Sequence, residues 1–214
     1  MEFRSLTWIL AYLGIAISLL PLIIFLIKKK NFQQKIYWIL FLLTAEYAFI
    51  NSFNFIDSIF HYPRLAFFYE IHYIIETLLI WLLFALFLPK KVIFRSLLME
   101  LFILLLFAVK YIVFDEEFSP SSEYLAQASN VVITIGYISF QYKNSALPRL
   151  TDDGLFIIAI GLLFFSSVHF YFSIFDQLIR FPDSKVLWLL WPIFQVAAIS
   201  HYLLFSIGLW KLRK

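Results

Sequence analysis

A chain of 214 residues with no cysteine and four histidines has carboxylates, imidazoles and amides as its main reactive groups. Their setting is unusual, because most sit inside long apolar runs. One run carries Tyr69, His72, Tyr73 and Glu76 at positions i, i+3, i+4 and i+7, which is a single helical face. Another places Thr44, Tyr47, Asn51 and Asn54 on a stripe with Glu46 on its flank. A third stacks Gln127, Asn130, Thr134 and Gln141, a fourth Ser166, His169, Ser173 and Asp176, and the last apolar run holds His201 beside Ala197, Ala198 and Gly208. A carboxylate and an imidazole one helical turn apart, such as His72 and Glu76, can meet and exchange a proton. Groups of this kind are costly at mid-membrane, by about 2.5–3.5 kcal/mol on insertion scales, so they turn toward a bundle interior or a wet cavity.

The apolar runs define the elements. Hydrophobic residues make up 63% of the chain and charged residues 14%, against about 45–50% and about 25% in soluble domains. That excess is more than a soluble fold can bury. Seven segments reach the roughly 20 residues needed to cross a bilayer, at 5–27, 36–57, 65–88, 92–114, 123–142, 154–176 and 186–210. Proline and charged residues punctuate them, as at Lys28-Lys29-Lys30, Pro89-Lys90-Lys91 and Pro148-Arg149. The fifth is the least hydrophobic. Arg4 followed by an apolar stretch resembles a signal peptide, but Lys28-Lys29-Lys30 stands where a small-residue cleavage site would be, so the stretch reads as the first helix. The fold class expected is all-α, one polytopic membrane domain over residues 1–214.

Lys28, Lys29, Lys30, Lys35, Lys90, Lys91, Arg95, Lys143, Arg149, Lys211, Arg213 and Lys214 fall on one side of such a bundle, against Arg4, Arg64, Lys110, Arg180 and Lys185 on the other. The basic side is expected in the cytoplasm and the N-terminus outside, in a multi-pass protein of the bacterial inner membrane. The net charge of +3 is thus a matter of topology and gives no reason to expect a nucleic-acid partner. With that topology Asn51, Asn54, His72, Asn130, His169 and Asp176 lie in the outer half, above Glu46 and Glu76, and outline an outward-facing polar pocket. His201 lies deeper. The candidate ligand-binding residues are therefore Glu46, Asn51, Asn54, His72, Glu76, Asn130, His169 and His201. The competing reading is that these amides and imidazoles bind helices to one another by hydrogen bonds worth about 0.6–2 kcal/mol.

Several chemistries lack their residues. No lysine between Val186 and Trp210 could carry retinal, no H-E-x-x-H helix is present, and with five glycines there is neither a G-x-S-x-G elbow nor a phosphate loop. No metal site and no cofactor are expected. The candidate partners are the lipid bilayer, a small molecule or lipid, and a membrane or cytoplasmic protein.

The stretches from Leu155 through Gly161-Leu162-Leu163-Phe164-Phe165-Ser166, Leu187-Trp188-Leu189-Leu190-Trp191 and Ser206-Ile207-Gly208-Leu209-Trp210-Lys211, with His72-Tyr73-Ile74-Ile75-Glu76-Thr77-Leu78-Leu79, resemble a family of small seven-helix membrane proteins of Bacteroidota. His201 departs from that pattern. The resemblance implies the fold and points to Glu76, and it implies no activity. A sensor or ligand-binding module signalling through a separate partner is the leading expectation. The alternatives are a proton-coupled transporter, whose polar track would continue through Ser200, His201 and Gln141, and a lipid-modifying enzyme using Glu76 with His72 or His169.

Overall fold

The computed structural model describes residues 2–28, 34–60, 66–91, 121–144, 152–178 and 185–212, with isolated helical positions between 93 and 105; side chains are described over 8–28, 36–53, 71–91, 123–144, 152–172 and 190–212. The described chain is all helical: α1 (Glu2–Ser18), α2 (Leu20–Lys28), α3 (Gln34–Phe60), α4 (Ala66–Ala85), α5 (Ser121–Asn144), α6 (Gly154–Leu178) and α7 (Lys185–Lys211). The helices α1 and α2 form one rod interrupted at Leu19, so six rods are described. The segment expected at 92–114 lies mostly outside the described residues. Within it Phe94, Leu98, Leu101, Phe102 and Leu105 are helical and expose their side chains.

The break at Leu19 has a local cause. Pro21 has no N–H to donate to residue 17 and its ring crowds the preceding turn, while the Ser18 hydroxyl turns back to donate to the Ile15 carbonyl at 2.7 Å. Helicity resumes with Ile23 N–H donating to the Leu19 carbonyl. At the other end of the chain Pro192 lies inside α7 and removes the same kind of bond. The start of α6 is fixed by Asp153, whose carboxylate accepts the Leu155 N–H at 2.9 Å, an N-terminal cap.

Four stretches are long and apolar enough to cross a membrane, Trp8–Lys28, Ile36–Phe53, Gly154–Phe172 and Leu190–Lys211, and α4 adds the shorter apolar run Ile71–Ala85. The chain has the make-up of a membrane protein. Its outer surface agrees, since Trp8, Ile9, Ile27, Trp38, Phe49, Ile193 and Ile207 are all exposed in a way that water would penalise and acyl chains would not. Helix α5 is fully formed but is too polar for the same set.

The rods close into a ring in chain order. The α1–α2 rod packs on α3 and α7, and α3 on α4, α4 on α5, α5 on α6 and α6 on α7. The tightest approach is α6 on α7. A Cβ on Gly208 would lie 2.5 Å from Ile158 Cγ1, and one on Gly154 would lie 2.8 Å from the Leu212 nitrogen. Only glycine lets the two backbones come this close, as small residues do at membrane helix crossings.

One end of the ring gathers the basic residues. Lys28 donates to the Trp210 carbonyl at 3.0 Å and sits 4.0 Å from the centre of the Trp210 ring, and Lys211 lies 4.0 Å from Asp152. The C-terminal ends of α2, α5 and α7 and the start of α6 therefore share this end. Above it the interior is apolar, with Phe25, Leu40, Leu43, Ile80, Leu83, Phe84, Ile158, Leu162, Phe205 and Leu209 fully buried. At 1.5 Å per residue, His72 lies about 20 Å from the α4 end at Ala85, His169 about 22 Å from Gly154 and His201 about 15 Å from Lys211. The polar residues thus occupy the half of the ring away from the basic end.

Candidate functional site

The centre is built by cross-helix pairing. His72 Nδ1–H on α4 donates to Glu46 Oε1 on α3, their side chains 14% and 13% exposed. His169 Nε2–H on α6 donates to Glu123 Oε1 on α5. A carboxylate can only accept unless protonated, so in each pair the imidazole is the donor and its tautomer is set by the glutamate. The two pairs are neighbours, because Tyr73 touches both imidazoles, with ring centres 5.1 Å from His72 and 6.1 Å from His169. Helices α3, α4, α5 and α6 are tied together here within one polar layer.

Glu76 sits one turn from His72 and is 2% exposed. Its carboxyl faces Tyr47, Tyr202 and the His169 ring. The Tyr47 hydroxyl is beside it and makes no well-formed hydrogen bond to any other described residue. The layer therefore contains three carboxylates, Glu46, Glu76 and Glu123, and two imidazoles. All three carboxylates are mostly buried.

Asn51 ties α3 to α7. Its Nδ2 donates to the Tyr47 carbonyl at 2.8 Å and to the Tyr202 hydroxyl at 2.7 Å, so it acts as interhelical glue. Asn54 lies outside the residues whose side chains are described. His201 is fully buried beside the Gly161 backbone, and neither ring nitrogen makes a well-formed hydrogen bond among the described residues. It stacks on Phe165 with ring centres 5.2 Å apart and meets Tyr47 edge-on at 5.1 Å. Phe165 also touches His169, at 5.2 Å, and so separates the two imidazoles by one aromatic ring. His201 belongs to the floor of the centre and not to its ion pairs.

Asn130 and Gln127 are both 0% exposed, and no atom of either carboxamide has a hydrogen-bond partner. The same holds for Glu46 Oε2, His169 Nδ1, Thr77 Oγ1 and Trp81 Nε1. Burying such a group without a partner costs about 1–3 kcal/mol, so this much unused hydrogen-bonding capacity in one region is a large standing penalty. Water or a polar ligand meeting these groups removes it.

The contact between His72 and Glu76 that their spacing along α4 allows is not the one observed: His72 turns across to Glu46 on the neighbouring helix. The residue that the sequence reasoning missed is Glu123, the partner of His169. The signal was available, since Glu123 precedes Gln127 by four residues and continues its stripe. Tyr202 was missed as well; aromatic residues are so frequent here that its place on α7 carried no weight. Among the described residues no three His, Asp or Glu side chains converge on a common metal position.

No protein-family model, curated protein sequence or solved structure matches this chain. Function has to be argued from the centre itself.

Proposed function

We propose that this protein is a membrane module that binds a small polar molecule in its buried carboxylate–imidazole centre and passes the resulting change in helix packing to a separate partner. One observation carries the reading: the amides of Gln127 and Asn130, Glu46 Oε2 and His169 Nδ1 are buried with no hydrogen-bond partner among the described residues, around two Glu–His pairs. A molecule with both donors and acceptors satisfies that set. Binding then pulls on four helices at once, because α3, α4, α5 and α6 each contribute a group.

The arrangement in the membrane completes the proposal. In this reading seven helices span a bacterial inner membrane with the N-terminus outside and the basic end in the cytoplasm, and the centre lies in the outer half of the bilayer and takes its molecule from outside. Native mass spectrometry of the chain purified from its own membrane tests it. A discrete small-molecule adduct is expected, and Glu76→Gln should release it while the protein stays folded. A bare chain, or an adduct held equally well by Glu76→Gln, would remove the centre as a binding site.

A further inference from the structure

The polar face of α5 does not stop at the centre. Glu123, Gln127, Asn130, Thr134, Tyr137 and Gln141 follow one another at alternating spacings of four and three residues, the spacing that keeps a continuous seam on one side of a helix. From Glu123 to Gln141 the seam is about 27 Å long, close to the roughly 30 Å of a hydrocarbon core. Asn144 follows at the same spacing, exposed at the basic end.

This seam lies inside the ring. Gln127, Asn130, Thr134 and Tyr137 are fully buried, Glu123 meets His169 on α6, and Tyr137 stacks on Phe84 of α4 with ring centres 4.5 Å apart. Glue between helices is the ordinary role of such residues, but the bonds formed here do not serve it. Thr134 donates to the Asn130 carbonyl of its own helix, Gln141 donates to the Tyr137 hydroxyl, also on α5, and Asn144 to the Phe140 carbonyl. The carboxamides of Gln127 and Asn130 have no hydrogen-bond partner among the described residues. Beyond the Glu123–His169 pair, this polar line crosses an apolar core with no hydrogen bond to a neighbouring helix among the described residues, which leaves its groups able to hold water.

We propose that the α5 seam is a proton path joining the carboxylate–imidazole centre to the basic end, with the Phe84–Tyr137 stack as the barrier it crosses. A proton enters at the Glu123–His169 pair, whose neighbours on the surrounding helices are Glu46 of α3, His72, Tyr73 and Glu76 of α4 and Tyr202 of α7. It passes along water held by the Gln127 and Asn130 amides, then by the hydroxyls of Thr134 and Tyr137, and one proton leaves at Gln141. No bond other than those to the proton changes. The path starts at the proposed binding centre but does not depend on a ligand being there.

The full-length chain in liposomes loaded with a pH-sensitive dye, given an acid pulse under a clamped potential, tests the path. Wild type should acidify the lumen faster than protein-free liposomes, and Asn130→Leu and Gln141→Leu should each slow this about tenfold or more, as loss of one relay group raises the barrier. Asn130→Ser, which keeps a hydrogen-bonding group, should recover most of the rate, and Val132→Leu, on the outward face of α5, should leave it unchanged. Asn130→Leu should also melt at or above the wild-type temperature, since it removes an unpaired buried amide; a lower midpoint would mark Asn130 as glue. Wild-type flux no greater than that of empty liposomes, or full flux in both leucine variants, would overturn the path. Gln141→Leu should keep whatever adduct wild type shows in native mass spectrometry, so loss of flux with the adduct retained separates this proposal from the binding site.

Discussion

Glu46 and His72 illustrate how a single pair can hold two helices in register. Each is nearly buried, and neither has a water-exposed alternative once the ring has closed. Removing one partner leaves the other charge stranded, which costs about 3–5 kcal/mol in soluble interiors and less in lipid, where interhelical hydrogen bonds average about 0.6–2 kcal/mol. His72→Leu should therefore lower stability more than the double variant Glu46→Leu/His72→Leu, as read from unfolding in a mixed detergent series. Equal losses from the single and the double variant would mean that the two side chains do not act as a pair. Asn51 belongs to the same scale. Its two bonds are satisfied, so Asn51→Leu should weaken the α3–α7 contact, in contrast to the gain expected from Asn130→Leu.

At the scale of elements, the glycines separate two kinds of helix surface. Gly208 faces Ile158 and the Gly154 carbonyl at distances that exclude any side chain, so Gly208→Val must push α7 off α6, and a fall in thermal midpoint should report it. Gly136 on α5 has nothing within 4 Å of where its Cβ would lie. There alanine relieves the intrinsic helix penalty of glycine, about 0.5–1 kcal/mol, and Gly136→Ala should be neutral or stabilising. A destabilised Gly136→Ala would show that the described surface around it is covered by another element. The same scale explains why α5 forms although it is the most polar helix: its Glu123 pairs with His169, its apolar residues Ala126, Ile133 and Tyr137 fill the core, and α4 and α6 flank it on both sides.

For the whole molecule, the separation of a basic end from a buried acidic centre is the feature that ties fold to function. The proposed orientation rests on it and is open to a direct check. The chain has no cysteine, so Lys91→Cys and Asn144→Cys, both at exposed positions, provide single labelling sites. A membrane-impermeant maleimide should modify neither in intact cells and both after the membrane is opened. Labelling of both from outside would invert the topology and move the centre to the cytoplasmic half.

The sequence by itself determined the helices. Proline and lysine clusters marked the expected ends at 36–57, 123–142, 154–176 and 186–210, within a few residues of those observed for α3, α5, α6 and α7, and the stripes through His72 and Asn130 identified the inward faces. Both are local properties, written in hydropathy and in the 3.6-residue period. It could not foresee the break at Leu19 with the same ease, since Pro21 is equally compatible with a kinked continuous helix. Only the tertiary structure decided the partners: that His72 meets Glu46 and not Glu76, that His169 meets Glu123, that Asn51 is satisfied and Asn130 is not. Those outcomes depend on which helices are neighbours and at what height they pack, and apolar surfaces of similar shape leave almost no trace of that choice along the chain.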